Sequence, residues 1–296
     1  MPDRPAHDPS RPQGSPATGG APGSAPGTAP SRHTVRSHDG TEIAYFRSGT
    51  GPPLVAVHGA TADHTSWNRV LPLLEPQVTV MAIDRRGRGA SGDHPDWALE
   101  REFDDVAAVV DAVAAETGGA VDLLGHSFGG AIALGGATLT PNVRRLALYE
   151  PVTRAEHDAK PPDVVERIER FVQEGKREEA LETMFREIVL MSEEAFAAYR
   201  QLPIWPTRVA IAHTLPRELG VSLTDTTIEP ERVAALQVPT LLLIGGDSPP
   251  GPKTSVARLS ETLPNARVTV LEGQEHMAIY DAPEMFTERL LGFLRE

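Results

Sequence analysis

The amino-acid sequence predicts an α/β protein in which a mostly parallel sheet is covered by helices. Short, continuous apolar runs recur along the chain, as is typical of strands buried on both faces. Helical patterns with one apolar face lie between several of these runs. Strands that alternate with helices favour a doubly wound α/β fold.

The strands and helices follow in order. Residues 33–38 and 41–46 alternate in polarity around Asp39-Gly40, a hairpin turn signal, and predict two antiparallel strands. Six buried strands are then predicted at 54–58, 78–84, 120–125, 143–150, 239–246 and 266–271, and helices at 67–74, 100–116 and 283–294. Residues 152–236 contain helical patterns and no convincing strand, which predicts a helical cap between two core segments, 32–151 and 237–296.

Residues 1–31 are rich in Pro, Gly and Ala, and such a composition predicts disorder. This tail has no apolar core of the kind found in secretory signals, so we expect a cytoplasmic protein. The abundance of Ala, Gly and Pro, with Arg used far more than Lys, indicates a bacterial source with a GC-rich genome.

Composition excludes several classes of function. The net charge of −13 argues against nucleic acid as a partner, and no apolar run approaches the roughly 20 residues of a membrane helix. Because the chain has no cysteine, a cysteine nucleophile and a thiolate metal site are excluded. We expect a small-molecule substrate, and the oligomeric state stays open.

The strongest motif is Gly125-His126-Ser127-Phe128-Gly129, a G-x-S-x-G sequence between a predicted strand and an Ala/Gly-rich helix. A serine held in a sharp turn there presents its hydroxyl above the sheet, and the helix N-terminus favours negative charge beside it. Ser127 is therefore the predicted nucleophile.

A serine hydroxyl needs a base, and His276 lies on the loop between the last predicted strand and the last helix. We predict His276 as this base. His58 ends a strand. His126 lies within the G-x-S-x-G turn, and we expect it to point away from the site.

Two carboxylates compete to orient the histidine. Asp247 follows the 239–246 strand and gives the order Ser, Asp, His, and we prefer it. Glu150 ends the 143–150 strand and is the alternative acid. The backbone amides of Phe128 and Ala60 are the predicted oxyanion donors, assigned by position alone.

Together these motifs resemble the α/β-hydrolase superfamily over residues 33–296. The matching pieces are His58-Gly59, the loop from Asp84 to Ser91, the serine motif, Gly245-Gly246-Asp247 and the His276 loop. The resemblance implies an eight-stranded, mostly parallel sheet with flanking helices, a helical cap over the site, and an architectural role for the Asp84–Ser91 loop.

Two glycine-rich segments imitate cofactor loops. Residues 87–92 read as G-x-G-x-x-G, but Asp93-His94-Pro95-Asp96 delays the helix that would receive a pyrophosphate. Residues 246–254 resemble a phosphate loop, but three prolines remove amide donors. We therefore expect neither cofactor nor metal, since no spaced ligand motif is present.

The predicted function is hydrolysis of an ester-like carbonyl in a small or medium, partly apolar substrate, through an acyl-enzyme. The fold alone leaves lactones, C–C bonds, peracid formation and acyl transfer open, as well as a small-molecule receptor that retains the triad. Residues considered for the pocket wall are Trp67, Met184, Phe185, Ile188, Val189, Met191, Trp205 and Ile211.

Overall fold

A computed structural model describes residues 29–152, 161–220, 228 and 230–296. Its centre is one eight-stranded sheet in the order β1-β2-β4-β3-β5-β6-β7-β8. The strands are β1 Ser31–Arg36, β2 Glu42–Gly49, β3 Pro53–Val57, β4 Thr79–Ile83, β5 Val121–His126, β6 Val143–Tyr149, β7 Thr240–Gly245 and β8 Ala266–Leu271. Strand β2 is antiparallel to β1 and β4, and all other pairs are parallel, which confirms the predicted fold class.

The helices that accompany the sheet are α1 Leu71–Leu74, α2 Leu99–Thr117, α3 Phe128–Ala137, α10 Pro250–Thr262, α11 Ala278–Asp281 and α12 Pro283–Leu294. Between β6 and β7 lie α4 Val164–Gln173, α5 Arg177–Glu187, α6 Glu193–Tyr199, α7 Trp205–Ile211, α8 Leu215–Gly220 and α9 Pro230–Ala234. We call α4 to α9 the cap helices. Short 3₁₀ helices occupy His64–Trp67 and Ala212–Thr214.

Helix α2 shows how the sequence pattern produces packing. Its apolar positions Phe103, Val106, Val110 and Val113 recur at helical spacing, and all four are buried. The helix ends at Gly118, whose left-handed φ of 73° is suited to glycine. The observed bounds lie within one residue of the predicted helix.

Strand β8 differs from the prediction of a strand buried on both faces. Val268 and Val270 remain 45% and 43% exposed. The physical reason is the position of β8 at the edge of the sheet, where it has a neighbouring strand on one side only.

Most of the predicted tail, residues 1–28, lies outside the described residues, as do 153–160, 221–227 and 229 of the predicted cap. The residues described between β6 and β7 are helical wherever they are regular. The division into core and cap as separate domains stays a prediction. In the part of the chain that the structure describes, no helix combines the length and apolarity needed to cross a bilayer.

Candidate active site

Ser127 lies at a sharp turn between β5 and α3. Its backbone adopts φ 57° and ψ −127°, a conformation rare for a residue with a side chain. Hydrogen bonds hold the turn: the Ser127 amide donates to the Tyr149 carbonyl at 2.9 Å, and the Ser127 carbonyl accepts from the Gly130 amide at 2.8 Å. The serine is thus fixed at the end of a buried strand, as the motif predicts.

The glycines beside the serine permit close approach of backbone segments. A Cβ on Gly129 would lie 2.1 Å from the carbonyl oxygen of His58, and one on Gly125 would lie 2.6 Å from the Gly129 oxygen. The turn that contains Ser127 therefore packs directly against the loop after β3, where the predicted oxyanion donor Ala60 lies.

His276 meets Glu150, the alternative acid of the sequence prediction. Its Nδ1 lies 2.6 Å from Glu150 Oε2. The other carboxylate oxygen of Glu150 accepts from the Gly245 amide at 2.9 Å and from the Ser248 hydroxyl. The carboxylate in contact with the imidazole is therefore Glu150.

This geometry favours Glu150 over Asp247, our preferred acid. Its side chain is exposed, and its amide donates to the Gln274 carbonyl at 2.9 Å. The two carboxylates differ in their surroundings: the Asp247 side chain faces solvent, whereas Glu150 is 1% exposed and accepts hydrogen bonds on both oxygens. Glu150, directly after β6, is the carboxylate that the histidine loop reaches.

The surroundings of Glu150 favour its ionised form. Burial alone would raise the pKa of this carboxyl, but hydrogen bonds from His276, Ser248 and the Gly245 amide hold the pKa below its ordinary value. A buried carboxylate that stays charged can stabilise an imidazolium beside it.

The loop that carries His276 is held from the same strand. The Tyr149 hydroxyl donates to the Glu275 carbonyl and accepts from the Ala278 amide at 3.1 Å. Tyr149, the last residue of β6, therefore holds the backbone of the histidine segment. The next residue, Glu150, holds the His276 side chain.

His126 does not point away from the site, contrary to our expectation. It lines the same cavity as Ser127, and its Nε2 donates to the carbonyl of His276 at 3.0 Å. Burial and the neighbouring His276 lower the pKa of His126 well below the ordinary value, so this imidazole is neutral. Its contact adds a further support for the histidine loop.

The loop after β3 lies beside the serine. Ala60 lines the cavity, and a Cβ on Gly59 would lie 3.0 Å from Ser127 Cβ. Phe128 is the first residue of α3, where amides have no acceptor within the helix. Both residues are thus close to Ser127, and their role as oxyanion donors stays a prediction.

The loop from Asp84 to Ser91 is held by its own hydrogen bonds, in agreement with an architectural role. Asp84 Oδ2 accepts from the Ala90 amide at 2.7 Å, and Arg85 and Arg86 form buried ion pairs with Glu102 and Asp105. Arg85 Nη1 also donates to the Gly59 carbonyl at 3.1 Å. This loop therefore supports the turn that contains Ala60.

A cavity of about 350 Å³, including the space at its mouth, joins these parts. Core residues form one side of its lining: Gly59, Ala60, Ala62, Ser66, His126, Ser127, His276 and Met277. The cap helices and their C-terminal ends supply Met184, Phe185, Val189 and Arg208. Met184, Phe185 and Val189 had been considered from the sequence; Trp67 and Trp205 are buried elsewhere in the core.

Arg208 and Ser66 are lining residues that sequence reasoning missed. Neither belongs to a motif, and the contact of Arg208 with Ala60 joins positions 148 residues apart. A signal for them would have required knowledge of how the cap docks on the core.

One group of possible metal ligands was also not anticipated from the sequence. One atom from each of Asp63, His64 and Asp84 lies within 4.8 Å of the others. The carboxylates already have donors, since Asp84 Oδ1 accepts from the amide and Nδ1 of His64, and Asp63 Oδ1 accepts from the Thr65 amide. These contacts serve the loop structure, and we assign no metal to them.

The fold and this site define an α/β hydrolase. The sequence profile of the Alpha/beta hydrolase family matches residues 54–289, so the chain belongs to this family and is a hydrolase.

The chain is similar to several named members of this family. One is the (E)-2-((N-methylformamido)methylene)succinate hydrolase of Acinetobacter baylyi, which is 24% identical over 88% of this chain and 97% of the relative. Another is the pimeloyl-[acyl-carrier protein] methyl ester esterase of Aeromonas hydrophila, 26% identical over 85% and 99% of the two chains. Among solved structures, an α/β hydrolase from Sphaerobacter thermophilus is 38% identical, covers 88% of this chain and 100% of that chain, and superposes with a TM-score of 0.76.

Proposed function

We propose that the protein is a serine hydrolase that uses Ser127 as nucleophile, His276 as general base and Glu150 as the carboxylate that orients the histidine. The observation that carries the proposal is the 2.6 Å contact of His276 Nδ1 with buried Glu150, at a cavity that both Ser127 and His276 line. A serine and a histidine at one cavity, with a held carboxylate on the histidine, form the arrangement that activates a hydroxyl.

The reaction begins when the Ser127 oxygen attacks the substrate carbonyl and His276 Nε2 takes the hydroxyl proton. With Nδ1 donating to Glu150, Nε2 is the basic nitrogen of the neutral imidazole. The imidazolium returns the proton to the leaving alcohol as the C–O bond breaks and the acyl-enzyme forms. Water, deprotonated by His276, then attacks the acyl-enzyme, releases the acid and restores the serine.

The amides of Phe128 and Ala60 are proposed to stabilise the oxyanion in both steps. Phe128 begins helix α3, so the positive end of the helix dipole adds to its amide. The carbonyl of Ala60 accepts from Arg208 Nη1 at 3.2 Å, and this bond helps to hold the turn in place.

We propose an ester-like bond in a small substrate. The cavity is lined by few residues, and its cap side is apolar at Met184, Phe185 and Val189. The relative from Aeromonas hydrophila is named as a methyl ester esterase, and that from Acinetobacter baylyi as a hydrolase of a substituted succinate. These names support hydrolysis of carboxylic acid derivatives.

A fluorophosphonate probe tests the nucleophile. We expect intact-mass spectrometry to show one adduct on the wild-type protein and none on Ser127→Ala, with loss of hydrolysis of para-nitrophenyl esters in the same variant. Ser66→Ala, which removes another serine from the cavity lining, is the matched control and should still be labelled. Labelling that persists in Ser127→Ala would contradict the assignment, and labelling without turnover of any ester would favour a receptor.

A further inference from the structure

Arg208, on cap helix α7, reaches from the cap to the catalytic loops. Arg208 is only 5% exposed, and it lines the cavity together with Ser127 and His276. Nη1 donates to the Ala60 carbonyl at 3.2 Å and to Thr61 Oγ1 at 3.1 Å, and Nη2 donates to the Tyr280 hydroxyl at 3.3 Å. The guanidinium is therefore held next to the reaction centre by neutral groups.

Arg208 forms no ion pair within the described residues, although the carboxylate of Asp63 lies close enough to help raise its pKa, which burial alone would lower. This distinguishes it from the other buried arginines there: Arg85 pairs with Glu102 at 2.7 Å, Arg86 with Asp105 at 2.6 Å, and Arg88 with Glu218 at 2.6 Å. Aromatic rings supply its remaining surroundings, with the Tyr199 ring centroid 5.1 Å from the guanidinium carbon. A buried cation without a direct ion-pair partner is unfavourable, and a protein retains one most readily where a ligand supplies the opposite charge.

Two buried donors at the cavity also lack a hydrogen-bond partner among the described residues. They are Arg208 Nε and the hydroxyl of Ser66, a residue that is 3% exposed. Both residues belong to the cavity lining, in which no aspartate or glutamate takes part. An oxyanion bound there would satisfy an unused guanidinium donor and an unused hydroxyl.

We propose that the cavity takes substrates with a second, free carboxylate, and that Arg208 and Ser66 bind this group while Ser127 attacks the acyl carbon. The proposal rests on the proposed serine hydrolase activity and names its substrate class, the monoesters of short dicarboxylic acids. Met184, Phe185 and Val189 would contact the methylene groups between the two carboxyl carbons. Arg208 would thus determine specificity.

Paired substrates test the proposal. Mono-para-nitrophenyl glutarate carries the free carboxylate, and para-nitrophenyl pentanoate is its neutral match in acyl length. We expect the wild-type enzyme to favour the glutarate ester, and Arg208→Gln to lower the ratio of the two kcat/KM values by at least about tenfold, the effect of losing one charge-assisted contact. Ser66→Ala should raise KM for the glutarate ester alone.

Arg177→Gln is the matched control for loss of a cap arginine. Arg177 is exposed and donates to the carbonyl of Ala210 on the same helix segment as Arg208, but it does not line the cavity. Its ratio should equal that of the wild type. An equal fall of both substrates in Arg208→Gln would assign Arg208 to cap docking alone and overturn the proposal, as would a wild-type enzyme without preference for the acid.

A binding measurement separates this proposal from the serine hydrolase proposal. Glutarate should raise the melting temperature of Ser127→Ala, glutaramide should not, and the double variant Ser127→Ala/Arg208→Gln should lose the effect. Absence of turnover together with Arg208-dependent glutarate binding would reject the hydrolase proposal and support the carboxylate site. Turnover of neutral esters without glutarate binding would do the reverse.

Discussion

Glu150 and Asp247 illustrate, at the scale of single residues, how surroundings decide a role. Each follows a parallel strand at the same sheet edge, so their positions in the sequence are nearly equivalent. Glu150 is 1% exposed and has donors on both carboxylate oxygens, whereas Asp247 is exposed. A carboxylate in the first setting can hold an imidazole in one tautomer, and one in solvent cannot.

Glu150→Gln should lower kcat for ester hydrolysis by a factor of about 10²–10⁴, because an amide does not stabilise the imidazolium and can reverse the histidine tautomer. Steady-state kinetics on para-nitrophenyl esters measure this fall. Asp247→Asn is the matched control and should stay within about twofold of wild type, as expected for an exposed residue. The opposite ranking of the two variants would return the role to Asp247.

The sequence led to Ser127 and His276 because each belongs to a local pattern, a strand–turn–helix motif or a loop between the last strand and last helix. It could not separate Glu150 from Asp247, since the choice depends on which carboxylate the tertiary structure buries beside His276. The hydrogen bonds of Arg208 were equally hidden, because their acceptors come from sequence positions far away.

At the scale of elements, the turn from β5 to α3 depends on backbone contact with the turn after β3. Gly129 occupies a position where any Cβ would overlap the His58 carbonyl at 2.1 Å. The obstacle is backbone rather than a flexible side chain, so it cannot move without displacing the turn that holds Ala60.

Gly129→Ala should therefore lower the free energy of unfolding by about 1–3 kcal/mol through overpacking and should also lower kcat. Urea unfolding and ester hydrolysis measure the two effects. Gly119→Ala, at a position with nothing within 4 Å of the added Cβ, is the control and should change stability by less than about 0.5 kcal/mol. Wild-type kinetics and stability in Gly129→Ala would refute the close packing.

For the whole molecule, a buried charge cluster joins the core to the cap. Arg85 binds Glu102 of α2 at 2.7 Å and Glu218 of cap helix α8 at 2.5 Å, and Arg88 also binds Glu218 at 2.6 Å. Because Arg85 also donates to the Gly59 carbonyl, the cluster connects the cap with the turn beside Ser127. The sequence predicted the strands along the chain and the helices between β6 and β7. The ion pairs that join these helices to the core arise only from tertiary packing.

This cluster should make stability sensitive to acid. Burial alone would raise the pKa of Glu102, but the charges of Arg85 and Arg88 lower it from 4.5 to about 2. Since the folded-state pKa lies below the unfolded one, ionised Glu102 stabilises the protein above about pH 4.5, and this contribution is lost as the pH falls toward 2.

Glu102→Gln should lower the free energy of unfolding at neutral pH by about 3–5 kcal/mol, the usual effect of removing one partner of a buried pair. The difference should shrink as the pH falls from 4.5 toward 2, in urea titrations at a series of pH values. Parallel stability curves for the two proteins over that range would show that Glu102 is not held ionised by the arginines.

The hydrogen bonds from β6 and Glu150 should restrict the motion of the histidine segment. The hydroxyl of Tyr149 bridges Glu275 and Ala278, and Glu150 binds the ring between them, so the segment is tied to a central strand at three successive points. Surface loops fluctuate within nanoseconds to microseconds, whereas core strands open rarely and cooperatively. We therefore expect His276 to be as rigid as the strand, so that the imidazole keeps one position before the substrate binds.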